Sequence, residues 1–431
     1  MSTVPADGRH GWRLRVQAWS APLLLLSPLL VVLLALHHRR RGRSLDGLRQ
    51  ALGVDLPRVA GRPVVVHGVS LGEVALMKAV LPSLSGPLLL TTTTPSGWEG
   101  LAQRHAGLPR CRWPLDLPWA VEAFLRRVKP RAVVLLEAEL WPVMLAACHA
   151  RGIPVLIANA RSSPRSFARM RAIRCLVRPL LRNLRLVAAQ TPDYGARLLH
   201  LGVRRERIAV TGSLKADLVA PADAAALDWC AANGLDVQRP LLLLASTSAG
   251  EEAALLVGGP EAWWARTWQL AICPRHVERG DELARLCVRL GGLPRRTSLG
   301  EALGSRPNEI LIIDQIGRLG ALYAHTARSG GIAVVGGSCG SGRGGQNMLE
   351  AAAAGCCTVV GWDTRAQPDP MAVLRRHQAV VELEPGRIAP ALSALAEDRA
   401  RRVDLGQRAQ AAWRTGRGAL ARLERLIAAF V

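Results

Sequence analysis

The chain has 431 residues, 49% of them hydrophobic, and a formal net charge of +23. That length can bury two ordinary cores, and that hydrophobic share excludes a disordered chain. All but three of the basic residues are arginine, the lysines being Lys78, Lys129 and Lys215. Such an excess attracts anions, among them phosphorylated lipid and nucleotide. Scattered basic residues and the lack of any nucleic-acid-binding signature argue against nucleic acid. Nine cysteines, an odd number with no Cys-x-x-Cys pair, fit reduced thiols in a cytosolic domain rather than a disulfide framework or a zinc site.

Trp19 to Leu36 is an apolar run of roughly the length that spans a bilayer. No small-residue cleavage site follows it, which argues against a signal peptide. The flank His37-His-Arg-Arg-Arg-Gly-Arg43 is denser in charge than Arg9, Arg13 and Arg15 before the run. The positive-inside rule then expects a single-pass anchor in the inner, cytoplasmic membrane with the bulk of the chain in the cytoplasm. Pro22 and Pro28 leave a shallow interfacial anchor open.

Ser44 to Leu56 reads as a short amphipathic helix. Arg62-Pro-Val-Val-Val-His67-Gly-Val-Ser70-Leu-Gly72-Glu73 reads as a buried strand, a tight turn and a helix start. A strand at Leu88 to Thr92 runs into Thr91-Thr-Thr-Thr-Pro-Ser-Gly97, a polar turn that faces either ligand or solvent. Trp113-Pro-Leu-Asp116-Leu-Pro118 is a stiff connector before a helix at Ala120 to Val128. The strand from Arg131 ends in Glu137-Ala-Glu139-Leu-Trp-Pro142, two carboxylates of which one is expected to face a cleft. A strand at Ile153 to Ala158 precedes an Arg-rich helical region from Pro164 to Leu184. Strands at Leu186 to Gln190 and Ile208 to Thr211 lead to Thr211-Gly-Ser-Leu-Lys215, where a lysine in so Arg-biased a chain suits a point charge.

The alternation then restarts. Leu241 to Ala245 is a strand followed by Ser246-Thr-Ser248-Ala-Gly-Glu251-Glu252, and Trp268 to Cys273 is a strand ending in Pro274-Arg275-His276. Further strands at Glu309 to Asp314 and Ile332 to Gly336 follow, the latter opening a Gly-rich run to Asn347-Met348-Leu349-Glu350. A long Arg/Ala helix is expected from about Glu397 to Phe430. The pattern implies an α/β chain with two Rossmann-like βα domains facing a cleft. Its divisions are an anchor with basic flank (1–44), a first domain (45–218), a linker (219–239), a second domain (240–395) and a C-terminal helix (396–431) expected to pack back on the first.

Three turns carry capping-box spacing: Ser70…Glu73, Ser248…Glu251 and Asn347…Glu350. A cap is one reading of each glutamate. The other is chemical, because a helix N-terminus is also a phosphate site. Taken together, Glu73, Lys215, Arg275 and the turn from Gly336 to Glu350 suit displacement of a nucleotide leaving group. Glu73 would take a proton from the attacking hydroxyl while the cations neutralise the departing phosphate. No metal-ligand cluster, Ser/His/Asp set or cysteine nucleophile competes.

In these motifs, and in their order over nearly the whole chain, the sequence resembles the 3-deoxy-D-manno-octulosonic acid (Kdo) transferases, membrane-anchored glycosyltransferases of GT-B fold in lipid A biosynthesis. The resembling stretches include His67-Gly-Val-Ser-Leu-Gly-Glu73, Pro114-Leu-Asp-Leu-Pro, Glu137-Ala-Glu-Leu-Trp-Pro142, Thr211-Gly-Ser-Leu-Lys215, Pro274-Arg-His-x-Glu-Arg279 and Gly344-Gly-x-Asn-x-Leu-Glu350. The resemblance implies a metal-independent inverting transfer of Kdo from CMP-Kdo to a lipid A precursor, with no cofactor. It implies Glu73 as proton acceptor, and Glu137, Glu139 and Lys215 as transition-state stabilisers. Pro274, Arg275, His276, Ile316, Gly317, Arg318, Asn347, Met348, Leu349 and Glu350 would hold CMP, with Ser246, Ser248 and Glu251 beside them. Ser248 and Gln346 stand where the family usually has histidine, and Arg318 where it has glutamate. These departures keep two alternatives in view: a sugar-nucleotide epimerase or hydrolase of the same fold, and a lipid-binding homologue with an altered donor site.

Overall fold

The structure, a computed structural model, describes residues 46–137, 140–219, 224–256, 267–306 and 308–430. The apolar run, its basic flank and Glu139 lie outside the described residues, and among those described no helix is long and apolar enough to cross a membrane. The chain forms two compact units, one of residues up to Leu218 joined by those from Arg417 onward, the other Val219–Gly416.

The first unit is built on seven parallel strands: β1 Val64–His67, β2 Leu88–Thr92, β3 Arg110–Arg112, β4 Ala132–Leu136, β5 Val155–Ala160, β6 Leu186–Ala189 and β7 Ile208–Val210, in the order β3-β2-β1-β4-β5-β6-β7. Helices cover both faces, so the inner strands are buried end to end and read as continuous Val, Leu and Ala runs. Alternation still sorts the residues. Val65, Val133 and Leu135 pack with Trp113 and Phe124, whereas Val64, Val66 and Val134 pack with Leu76 and Met77.

The second unit repeats the plan with β8 Leu241–Thr247, β9 Gln269–Pro274, β10 Leu293–Arg296, β11 Glu309–Ile312, β12 Ile332–Val335, β13 Cys357–Val360 and β14 Val381–Glu382, ordered β10-β11-β9-β8-β12-β13-β14. Strand order reverses between β1 and β4 in one sheet and between β8 and β12 in the other. In open parallel sheets, ligands bind at the carboxyl ends of the strands beside such a reversal.

The single long C-terminal helix expected from the sequence is two helices, Arg399–Thr415 and Ala419–Ala428. Gly418 breaks it with φ +86, a left-handed conformation that glycine adopts without strain. The second helix belongs to the first unit, where Ala419, Leu423 and Ile427 join the core that holds Val64 and Val66. Asp217 caps it, accepting hydrogen bonds from the N–H groups of Gly418 (2.8 Å) and Leu420 (2.7 Å). The Arg-rich region splits into Pro164–Ala172 and Arg174–Leu181, largely exposed helices.

Candidate active site

In the first unit the turn after β1 carries Glu73 into the first turn of the helix Leu71–Val80. The capping box is incomplete. Ser70 is the N-cap, yet its hydroxyl accepts no backbone N–H and instead donates to Glu73 Oε1 at 3.0 Å. Oε2 accepts the N–H of Val69 at 2.7 Å, one residue before the cap. The buried carboxylate is therefore folded back over its own turn, at the carboxyl edge of the sheet and beside the strand reversal.

That turn is clamped from β2. The hydroxyls of Thr92, Thr93 and Thr94 all donate to the Val69 carbonyl, at 3.0, 3.3 and 2.8 Å. A Cβ on Gly97 would collide with Thr92 Oγ1, so only glycine lets the Thr run close down. The polar turn read from the sequence as facing ligand or solvent thus braces Glu73.

Glu137 closes β4 with φ +58, a left-handed conformation uncommon outside glycine. Lys215 Nζ lies 3.4 Å from Glu137 Oε1, with both side chains partly exposed. A pair in that setting contributes at most about 1 kcal/mol to stability, so it positions charge more than it holds the fold. Lys215 reaches Glu137 because Asn159, at φ +57 on β5, accepts the N–H of Leu214 through Oδ1 at 3.0 Å. The helix Leu214–Leu218 also contacts Leu71–Val80, the helix of Glu73. Arg422 donates to the Thr211 carbonyl at 2.6 Å, tying the C-terminal helix to the same turn.

Two further supports went unread in the sequence. Asp116 accepts the N–H groups of Val143 (3.0 Å) and Met144 (2.9 Å), capping the helix that follows the Glu137 loop. Burial pushes its carboxyl up to about 6 against those two bonds. His67, at the end of β1, stacks on Trp113 with ring centroids 4.0 Å apart and meets Trp141 edge-on at 5.7 Å. Its Nδ1 lies 3.1 Å from Thr91 Oγ1, whose own proton goes to the Val66 carbonyl, so the ring nitrogen is the donor. Burial pushes this imidazole down to about 3.

In the second unit the other candidates lie at or beyond the carboxyl ends of β8, β9, β11 and β12. Ser246 has φ +52. Among the described residues, the buried hydroxyls of Thr247 and Ser248 have no hydrogen-bond partner. The Glu251 carboxylate is turned inward, accepting the N–H groups of Ser248 (2.8 Å), Gly337 (2.7 Å) and Cys339 (2.7 Å). It pins the turn after β8 to the Gly-rich loop after β12.

Pro274 ends β9, with Arg275 and His276 exposed beyond it. Asn347 donates to Glu350 Oε1 at 2.9 Å and accepts the N–H of Leu349, while buried Met348 is the N-cap of the helix Leu349–Ala354. Burial holds the Glu350 carboxyl above its usual range, opposed by the Asn347 amide and the Arg275 guanidinium. Ile316 is 86% exposed, Gly317 has φ +86, and Arg318 lies over the Trp229 ring at 5.0 Å. All nine cysteines are free and eight are buried, and burial raises most of their thiols, up to about 12 for Cys111 and Cys148.

The 3-Deoxy-D-manno-octulosonic-acid transferase (kdotransferase) family profile matches residues 40–218. A 3-deoxy-D-manno-octulosonic acid transferase of Bordetella pertussis is 35% identical over 324 residues, 72% of this chain and 73% of the relative. One from Haemophilus influenzae is 29% identical over 427 residues, 94% of this chain and 96% of the relative. A UDP-GlcNAc 2-epimerase structure from Neisseria meningitidis superposes with TM-score 0.55 at 16% identity, covering 85% of this chain and all of that one. Its likeness shows the shared two-unit α/β fold alone.

Proposed function

The chain belongs to the 3-deoxy-D-manno-octulosonic acid transferase family, and on that premise we propose that this glycosyltransferase moves Kdo from CMP-Kdo to a hydroxyl of a lipid A precursor at the cytoplasmic face of a membrane. The observation that carries this reading is the Glu73 turn. A carboxylate stands at the strand reversal, oriented by Val69 N–H and Ser70 Oγ and braced by three threonines.

In the reaction, Glu73 takes the proton of the acceptor hydroxyl as its oxygen attacks the anomeric carbon of Kdo. The bond from that carbon to the CMP phosphate oxygen breaks, CMP leaves with the bonding pair, and the anomeric centre inverts. Lys215, oriented by Glu137, supplies positive charge to the transition state, and Glu139 acts with them. No step requires a metal ion. In the second unit Arg275 and His276 meet the nucleotide phosphate, and Glu350, held by Asn347, accepts hydroxyl hydrogen bonds from the sugar. Met348 and Leu349 seat that helix start. The exposed Ile316–Gly317–Arg318 turn and the unpartnered Ser248 hydroxyl shape the donor's surroundings, with Ser246 and Glu251 fixing the loop. The apolar run from Trp19 to Leu36 anchors the chain, and the stretch from Leu140 to Pro192, which has no acidic residue, favours an anionic acceptor.

Purified full-length protein incubated with CMP-Kdo and a tetra-acylated lipid A precursor is expected to release CMP and add Kdo mass to the lipid. CMP release without any lipid adduct would favour a hydrolase, and no CMP release would remove the reading.

A further inference from the structure

The first unit carries a cavity of about 430 Å³ that the proposed reaction does not use. It opens at the amino ends of β5 and β6, the edge opposite Glu73, Glu137 and Lys215. Six residues of β5 separate the two edges, roughly 20 Å at the usual rise per residue. The volume lies in the range of small-molecule sites, about 300–1,000 Å³.

The walls are of two kinds. Leu145, Ile153, Leu184 and Phe430 make an apolar floor, and Arg185 and Arg204 line the same space. The Arg185 guanidinium sits 5.4 Å from the centre of the Phe430 ring, where its charge meets the end of the floor. Behind the walls, Arg207 adds a third cation close enough to feel Arg185 and Arg204. It is held below the usual arginine range by burial and then by Arg185 and Arg204, and its buried Nε has no hydrogen-bond partner among the described residues. Against these three stands the Glu206 carboxylate, 3.5 Å from Arg204. Converging guanidiniums with one carboxylate repel each other, and a bound anion relieves that repulsion. Guanidinium forks match the oxygens of a phosphate, and the apolar floor suits a chain attached to it.

We propose that this cavity is a second ligand site, for an alkyl phosphate whose head meets Arg185 and Arg204, with the charge of Arg207 nearby, and whose chain lies on Leu184 and Phe430. The phosphate comes either from a membrane lipid headgroup or from a soluble phosphorylated amphiphile.

Calorimetric titration of the full-length protein with octyl phosphate, inorganic phosphate and octanol tests it. Octyl phosphate is expected to bind about tenfold or more tightly than either half alone. Arg185→Gln with Arg204→Gln should weaken octyl phosphate about tenfold or more, and Phe430→Ala should weaken octyl phosphate but not inorganic phosphate. Glu73→Gln should bind octyl phosphate as the parent does, which separates this site from the proposed acceptor site. If the double arginine variant also loses salt-sensitive binding to phosphatidylglycerol vesicles relative to phosphatidylcholine vesicles, the ligand is a membrane lipid. Loss of octyl phosphate binding alone marks a soluble ligand. No octyl phosphate binding by the parent, or equal binding by the double variant, would overturn the proposal. So would a loss in Glu73→Gln as large as that in the double variant.

Discussion

Glu251 makes the clearest case for a residue that acts through others. Its two oxygens accept three backbone N–H groups from two loops, and none of those donors has another acceptor among the described residues. Glu251→Gln keeps the shape but offers one oxygen and a donor NH₂ to three donors. Leaving a buried N–H unpaired costs about 1–3 kcal/mol. We expect that loss in denaturant unfolding, together with a raised KM for CMP-Kdo and a smaller change in kcat. A variant with parental stability and KM would refute the pinning role. The spacing Ser248…Glu251 was legible in the sequence, but its partners were not, because Gly337 and Cys339 lie some ninety residues further along the chain. Glu73 was legible as a carboxylate at a strand-turn-helix start. Its brace was not, because three threonine hydroxyls converging on one carbonyl leave only a polar run in sequence. Arg318, assigned to the donor turn by the family resemblance, also lies over the Trp229 ring, a contact its spacing in sequence did not reveal.

At the scale of elements, β1 ends in His67, whose titration bears on stability. Burial lowers its folded pKa to about 3 from the ordinary 6.5. Between those values the unfolded chain binds more protons than the folded one, so stability rises with pH and is fully present above 6.5. Asp116 works the other way. Its folded pKa is raised from 3.8 to about 6, so its contribution is fully present below 3.8 and lost as pH rises through about 6. The two slopes oppose each other across much of that window. Thermal melts from pH 6.5 down toward 4 should therefore show a shallower acid loss in His67→Phe than in the parent, and a steeper one in Asp116→Asn. Unchanged slopes in both would contradict the assignment. The inner strands apart from β13 were legible because burial on both faces leaves unbroken apolar runs. The short edge strands β3, β10 and β14 were not, since Arg110–Arg112 and Leu293–Arg296 are half polar. Nor was the break at Gly418 read, because Arg and Ala on both sides favour one helix.

For the whole molecule, the sequence pointed to two similar βα units, and the structure has them, each with a seven-stranded parallel sheet. The C-terminal helix was expected to pack back on the first domain, and in the structure only its last part does so: the helix Ala419–Ala428 completes the core of the first unit, while Arg399–Thr415 belongs to the second. Removing residues from Arg417 onward should therefore destabilise the first unit and abolish activity, whereas removing residues 1–44 should leave a folded chain. That shortened chain is expected to bind anionic vesicles in a salt-sensitive way, while the full chain stays with membranes at high salt. Release of the full chain by salt alone would count against the anchor.

The central claim rests on Glu73 as the base. Glu73→Gln preserves the shape of the turn, and a lost cap would lower stability by only about 1 kcal/mol. Loss of a general base lowers the rate by roughly two to four decades. The direct measurement is the initial rate of Kdo addition to a lipid A precursor, followed by the mass of the lipid product, for parent and Glu73→Gln at equal thermal stability. The expected result is a folded variant slowed by at least about a hundredfold. A folded variant that transfers Kdo at the parental rate would contradict it.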